Sequence, residues 1–192
     1  MPTDEQSDLA MLEALGRLPV SRFLLTASHG MSRNGMIISR VHQTADTPPT
    51  VILSVPKGQP LSPLIRDSRS FALCELAEGD LLLSRLFNAP RELHGEDPFL
   101  GLLLVKNASG LPVPRSVASW IECELIRHLD IEADYEVYVG RAITGGVLEQ
   151  GRAPTRKRTS HPGTDGRGET LKIKVTTKKT RATKRRPSPS AS

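Results

Sequence analysis

The stretch Asn34-Gly-Met-Ile-Ile-Ser-Arg-Val-His-Gln-Thr-Ala-Asp-Thr-Pro48-Pro49 runs into Thr50-Val-Ile-Leu-Ser-Val55 and then Pro56-Lys57-Gly58. Its punctuation decides the fold. Asn-Gly tolerates positive φ at both residues, so a turn region is predicted from His29-Gly30 to Asn34-Gly35. Met36 to Thr44 reads as one strand and Thr50 to Val55 as the next, with the Pro-Pro pair between them.

Further strands are predicted on either side. Arg22 to Ser28 precedes the stretch; Phe71 to Leu76, Val117 to Arg127 and Glu136 to Ile143 follow it. Gly145-Gly146 reads as a turn toward Val147-Leu148. Only small helices interrupt. Asp4 to Leu15 has apolar Leu9, Leu12 and Leu15 and an acidic first turn, which the helix dipole favours. Pro60 to Asp67 has Pro near its start, and Asp80 caps a helix that ends at Phe87. Asn88 to Gly101 reads as a long loop. Six or so short strands spaced by turns argue for a mainly β chain closed into a barrel, not a doubly wound sheet.

The charge is unevenly placed. Residues 152–192 hold 13 Lys/Arg against 2 Asp/Glu, a balance of +11, whereas residues 1–151 hold 13 against 19, a balance of −6. The high pI therefore belongs to the tail, and whole-chain pI is no argument for nucleic-acid binding. From Gly151 onward Pro, Ser, Thr, Gly, Lys and Arg dominate. Such a segment buries too little apolar surface to offset its ordering entropy, so a disordered basic tail over 151–192 is expected. The domains read as an N-terminal helix over 1–17, a barrel over 18–150 and that tail. The tail reads first as a solvated arm. Binding to nucleic acid or another polyanion, or docking of an acidic redox partner, are the alternatives.

No run of eighteen apolar residues suggests a membrane span, and the acidic N-terminus lacks the apolar core of a signal peptide. A cytoplasmic protein is expected. Cys74 and Cys123 read as buried thiols in a reducing compartment, with a disulfide or metal site as the alternative. No metal site is predicted. Neither GxGxxG, a P-loop, HExxH nor GxSxG occurs. His94 and His128 read as ordinary loop and strand-end residues, and Trp120 as a core or interface anchor.

The order from Asn34 to Lys57 resembles the signature of the flavin reductase-like family, the FMN-binding split barrels. These carry an Asn-Gly-Met turn, a strand with small polar residues, a Pro-Pro pair and a second strand ending near a basic residue. Phe71-Ala-Leu-Cys-Glu-Leu-Ala-Glu-Gly79, Trp120-Ile-Glu-Cys-Glu124 and Asp134-Tyr135-Glu-Val-Tyr-Val-Gly140 resemble later strands of the same family. The resemblance covers roughly residues 18 to 150. Ser39 and Gln43 are more similar to the flavin reductase modules fused to flavodiiron proteins, and to rubredoxin-linked relatives, than to monooxygenase reductase components. It implies a split β-barrel, a homodimer, bound FMN, and NAD(P)H as co-substrate stacked on the flavin.

A flavin site needs donors and a cation for the phosphate, a flat apolar slot for the ring, donors at its pyrimidine edge, and access to N5. The resemblance implies that Ile37, Ile38, Ser39, His42, Gln43, Thr44, Lys57 and Ser62 bind FMN. Lys57-Gly58 lets the backbone approach an anion that the ammonium can pair with, and Gln43 and Thr44 can donate to ring oxygens. Where many members carry a Ser/Thr pair after the basic residue, this chain has Gln59 and Leu61, with Ser62 adjacent. Where many carry a His in the last strand, it has Tyr135, which is expected to stack at the nicotinamide as the catalytic residue. The expected function is hydride transfer from NAD(P)H to flavin. A related split-barrel oxidase, a non-catalytic FMN-binding or electron-transfer protein, and a polyanion-binding protein are the alternatives.

Overall fold

The computed structural model describes residues 4–77, 79–88 and 97–148. Helix α1 (Asp4–Gly16) precedes strands β1 (Phe23–His29), β2 (Ser32–Ile38), β3 (Val41–Asp46) and β4 (Pro49–Pro56). Then come α2 (Leu61–Ser68), β5 (Ser70–Glu75), α3 (Leu81–Phe87), β6 (Ser119–Asp130) and β7 (Tyr135–Val147). All seven strands form one antiparallel sheet in the order β2-β1-β5-β6-β7-β4-β3.

The expected closure is corrected. The sheet is not closed: β2 and β3 are its two edges and do not pair with each other. Yet only Ser39 and Arg40 separate them in the chain, so Ile38 and Val41 lie within about 11 Å, three Cα–Cα steps. The edges of a flat seven-stranded sheet would stand about 29 Å apart. The sheet therefore curls until its edges meet at this link. The Ser39 carbonyl accepts from the Ser21 amide at 3.5 Å, and the Arg40 carbonyl from the Ser54 amide at 3.1 Å.

Alternation sorts side chains into two cores. Leu25, Ala27, Leu53, Val55, Phe71, Leu73 and Tyr138 line the inside of the curl, closed at one end by Leu61, Leu64 and Ile65 of α2. Leu24, Ala72 and Cys74 point the other way and pack under Leu83 and Phe87 of α3, with Phe99, Leu111, Val113 and Val117. Both cysteines are free and buried, one in each core. Burial pushes both thiols up, that of Cys123 to about 12, with the Glu122 charge adding to the shift. These thiols stay protonated and pack as apolar groups.

Several local expectations are corrected. Asn34-Gly35 is not the reversal. It sits inside β2 opposite Ala27 and Thr26, and the chain turns at Gly30-Met31, with Gly30 at φ 59°. Gly35 is needed for close approach, since a Cβ there would stand 3.1 Å from Phe87 Cε1. The single strand expected over Met36 to Thr44 is two strands broken at Ser39-Arg40. Gly145-Gly146 is no turn either: it continues β7, where a Cβ on Gly145 would lie 2.7 Å from the Trp120 carbonyl oxygen. Trp120 packs partly buried against the second core, in keeping with an anchor. On α1, Leu9, Met11, Leu12 and Leu15 are all more than half exposed and belong to neither core. The tail over 151–192 and His94 lie outside the described residues, as does most of the loop predicted from Asn88.

Candidate functional site

Strand β4 alternates Val51, Leu53 and Val55 into the core with Ile52, Ser54 and Pro56 outward. Cross-strand partners share a face. Pro56 pairs with Tyr135, Ser54 with Val137, and Ile52 with both His42 and Val139. His42 and Tyr135 therefore belong to the outer face of β3, β4 and β7. At the β2–β3 link this face holds a cavity of about 70 Å³ lined by Ile37, Ile38, Ser39, Arg40, Ser54 and Tyr135 among others. The Arg40 guanidinium lies over the Tyr135 ring, 4.1 Å from its centroid. Four of the residues predicted from sequence thus come together: Ile37, Ile38, Ser39 and Tyr135.

Gln43 points the other way. It pairs with Val51 and, with Phe23, Val41, Thr50, Leu73 and Ile121, lines a mostly apolar cavity of about 290 Å³ at the mouth of the curl. Its amide donates to Asp46 Oδ1 at 2.7 Å. A bulge between Gln43 and Ala45 shifts the register, and the Thr44 hydroxyl donates to the Thr50 carbonyl at 3.3 Å. The period of two, broken by that bulge, keeps these β3 residues from forming one row.

Lys57 and Ser62 lie toward the β6–β7 turn and are already engaged. Lys57 Nζ pairs with Asp130 Oδ1 at 2.6 Å, and this hydrogen bond holds the Asp130 carboxyl below the usual range. Ser62 is buried, and its hydroxyl donates to Glu136 Oε1. Glu136 also accepts from Tyr138 Oη at 2.8 Å and meets His128 Nε2 at 2.6 Å, while His128 stacks on Tyr138 at 4.7 Å. Burial pushes the Glu136 carboxyl up, but the hydrogen bonds from Ser62, Tyr138 and His128 outweigh it and hold it below the ordinary value. Burial, with the Glu136 charge, raises the Tyr138 hydroxyl, which stays a donor. Gln59 Oε1 is buried with no hydrogen-bond partner among the described residues.

Sequence reasoning missed Arg40, Glu136 and Tyr138. The signal for Glu136 and Tyr138 was their alternation with Tyr135 and Val137, which separates the two faces once β7 is paired with β4. Arg40 gave no signal of its own, because the break that exposes it is set by sheet curvature. The guanidinium and hydroxyls of Arg40, Ser39 and Ser54 are the donor chemistry a flavin nucleotide needs, and the 290 Å³ mouth is apolar. That mouth sits at the lower bound of about 300 Å³ for small-molecule pockets.

The chain is 25% identical over 131 residues to diflavin flavoprotein A 1 of Synechocystis sp. (strain ATCC 27184 / PCC 6803 / Kazusa), covering 68% of this chain and 23% of that protein. It is 26% identical over 148 residues to the high molecular weight rubredoxin of Moorella thermoacetica (strain ATCC 39073 / JCM 9320), covering 74% of this chain and 62% of that one. It thus spans about a quarter of the diflavin flavoprotein. Among solved structures, the NADH:FAD oxidoreductase of Streptomyces globisporus C-1027 superimposes with a TM-score of 0.64 at 22% identity, covering 77% of this chain and 86% of that chain. The same oxidoreductase is also solved in complex with NAD and FAD fragments. At that identity the likeness concerns the fold. The flavin reductase like domain matches residues 15–161, most of the chain, and the protein belongs to the flavin reductase-like family.

Proposed function

We propose that this protein is an NAD(P)H-dependent flavin reductase that binds FMN non-covalently and works as a homodimer in the cytoplasm. The observation that carries the reading is the meeting of Ile37, Ile38, Ser39 and Tyr135 at the β2–β3 link, within a member of this family. A bound flavin would supply the two-electron chemistry, as acceptor of the hydride equivalent of NAD(P)H.

The chain's own part is to bind, orient and exclude water. This needs no general base, which suits a site whose outer face offers Tyr135, Arg40 and serine hydroxyls. Tyr135 contributes a ring face for stacking. Ile37 and Ile38 contribute apolar wall, and Ser39 a hydroxyl. His42 lies on the same outer face; Gln43 and Thr44 reach the flavin only from the mouth side of β3. Lys57 and Ser62 act through Asp130 and Glu136 to hold the β6–β7 turn. Two buried free thiols suit a reducing compartment.

Neither cavity alone encloses a flavin, which is why a second copy of the chain is part of the proposal. The test is anaerobic addition of NADH or NADPH to the flavin-loaded full chain. Bleaching of the flavin band is expected. If dithionite bleaches it and neither nicotinamide does, the protein is a passive flavin binder. Replacing Tyr135 by Ala should raise the NAD(P)H KM more than it lowers FMN affinity.

A further inference from the structure

The sequence puts the phosphate-binding cation at Lys57, but that end of the site is poorly suited to an anion. The Lys57 ammonium already pairs with Asp130, so an incoming phosphate would meet a carboxylate beside its partner. Asp130 is held ionised by the same hydrogen bond. Gln59, two residues on, buries an oxygen with no hydrogen-bond partner among the described residues.

Arg40 has the opposite surroundings. Among the described residues it pairs with no carboxylate, whereas Arg17, Arg33, Lys57 and Arg141 each do. Its guanidinium lies over Tyr135 at 4.1 Å. This ring contact uses none of the guanidinium N–H donors in an ion pair, so they remain for a ligand. It also restricts the side chain beforehand, so less entropy is lost when a ligand binds. Ser39 and Ser54 line the same cavity, and neither hydroxyl has a hydrogen-bond partner among the described residues. The cavity is small, about 70 Å³, and the exposed Ser39 and Arg40 form its rim.

We propose that Arg40, with the Ser39 and Ser54 hydroxyls, reads a phosphate ester of the bound nucleotide, and that Lys57 does not. This rests on the flavin reductase reading. The shared chemistry is a phosphomonoester, which the flavin carries in FMN and lacks in riboflavin, and the nicotinamide carries in NADPH and lacks in NADH.

The experiment uses the full chain as wild type, R40Q, R40K and K57Q. FMN and riboflavin are titrated by flavin fluorescence quenching, and NADPH and NADH by equilibrium binding. In at least one of the two pairs, R40Q should weaken the phosphorylated ligand about tenfold or more, the loss of a charge-assisted contact. Its dephosphorylated counterpart should stay within about twofold. R40K should fall between, since it keeps the charge and loses the planar fork. K57Q should stay within about twofold, because Lys57 faces the Asp130 carboxylate and does not line the cavity that holds Ser39, Arg40 and Ser54. Unchanged FMN/riboflavin and NADPH/NADH ratios in R40Q overturn the proposal, as does a larger loss in K57Q than in R40Q. An equal loss of both members of a pair overturns it too, since Arg40 would then act on the rings through Tyr135. In these three cases wild-type flavin binding persists and the reductase reading stands. Wild-type protein that binds neither flavin overturns both.

Discussion

At the scale of single residues, Glu136 gathers three side-chain hydrogen bonds among the described residues. It is a buried carboxylate accepting from Ser62, Tyr138 and His128, next in sequence to Tyr135 on the opposite face of β7. Replacing it by Gln should cost about 1–3 kcal/mol, since buried donors lose an ionised acceptor. The pH dependence has a definite sign. Its folded pKa lies below its ordinary value of 4.5, so the stabilisation is fully present above that pH and is lost as pH falls through the folded value. Urea midpoints of wild type and E136Q should therefore differ at pH 7, begin to approach each other below about pH 4.5 and meet only below the folded value. Midpoints that stay parallel from pH 7 to pH 3 would show that the ionised form adds nothing. The residue types at the link were legible in the sequence, but their partners were not. Lys57 looks like an available cation until Asp130, 73 positions later, is brought to 2.6 Å by the β6–β7 turn.

At the scale of elements, local chemistry was legible wherever local energetics decide. Asp80 was read as a cap, and its Oδ1 accepts from the Leu83 amide at 3.0 Å at the start of α3. Asp80→Ala should lower stability by about 0.5–2 kcal/mol, and Asp80→Asn by much less, both measurable by thermal or urea unfolding. A null effect of the Ala variant would mean the first turn of α3 finds its partners in water. Strands β1, β4, β5 and β6 were read to within a few residues because their apolar runs are long and bounded by turn residues. Asn34-Gly35 and Gly145-Gly146 were misread for one shared reason. Glycine permits a turn, but it also permits a large side chain to approach a strand. Here Phe87 and Trp120 make that approach, and both come from distant parts of the chain.

At the scale of the whole molecule, two surfaces are left unfinished by one copy. The mouth cavity of about 290 Å³ is open and apolar. Helix α1, only 13 residues long, exposes Leu9, Met11, Leu12 and Leu15. Isolated helices shorter than about 12–15 residues are marginal in water, so such a helix gains most from tertiary or quaternary packing. Light scattering at micromolar concentration should give about twice 21.0 kDa. A mass of one chain would count against the homodimer, and with it against a flavin slot completed by a second subunit.

The sequence by itself determined the mainly β character, the positions of most strands, the Asp80 cap and the family. These depend on neighbours a few positions apart, whose physics is carried by residue type and period. Only the tertiary structure decided that the sheet curls without closing, that β2 and β3 part at Ser39-Arg40, and which charges are free. Curvature joins edges that the chain's local pattern leaves continuous. Ion pairing depends on register between strands more than seventy residues apart. Lys57 is engaged and Arg40 available for that reason, although the two look alike in the sequence as cations beside apolar strands.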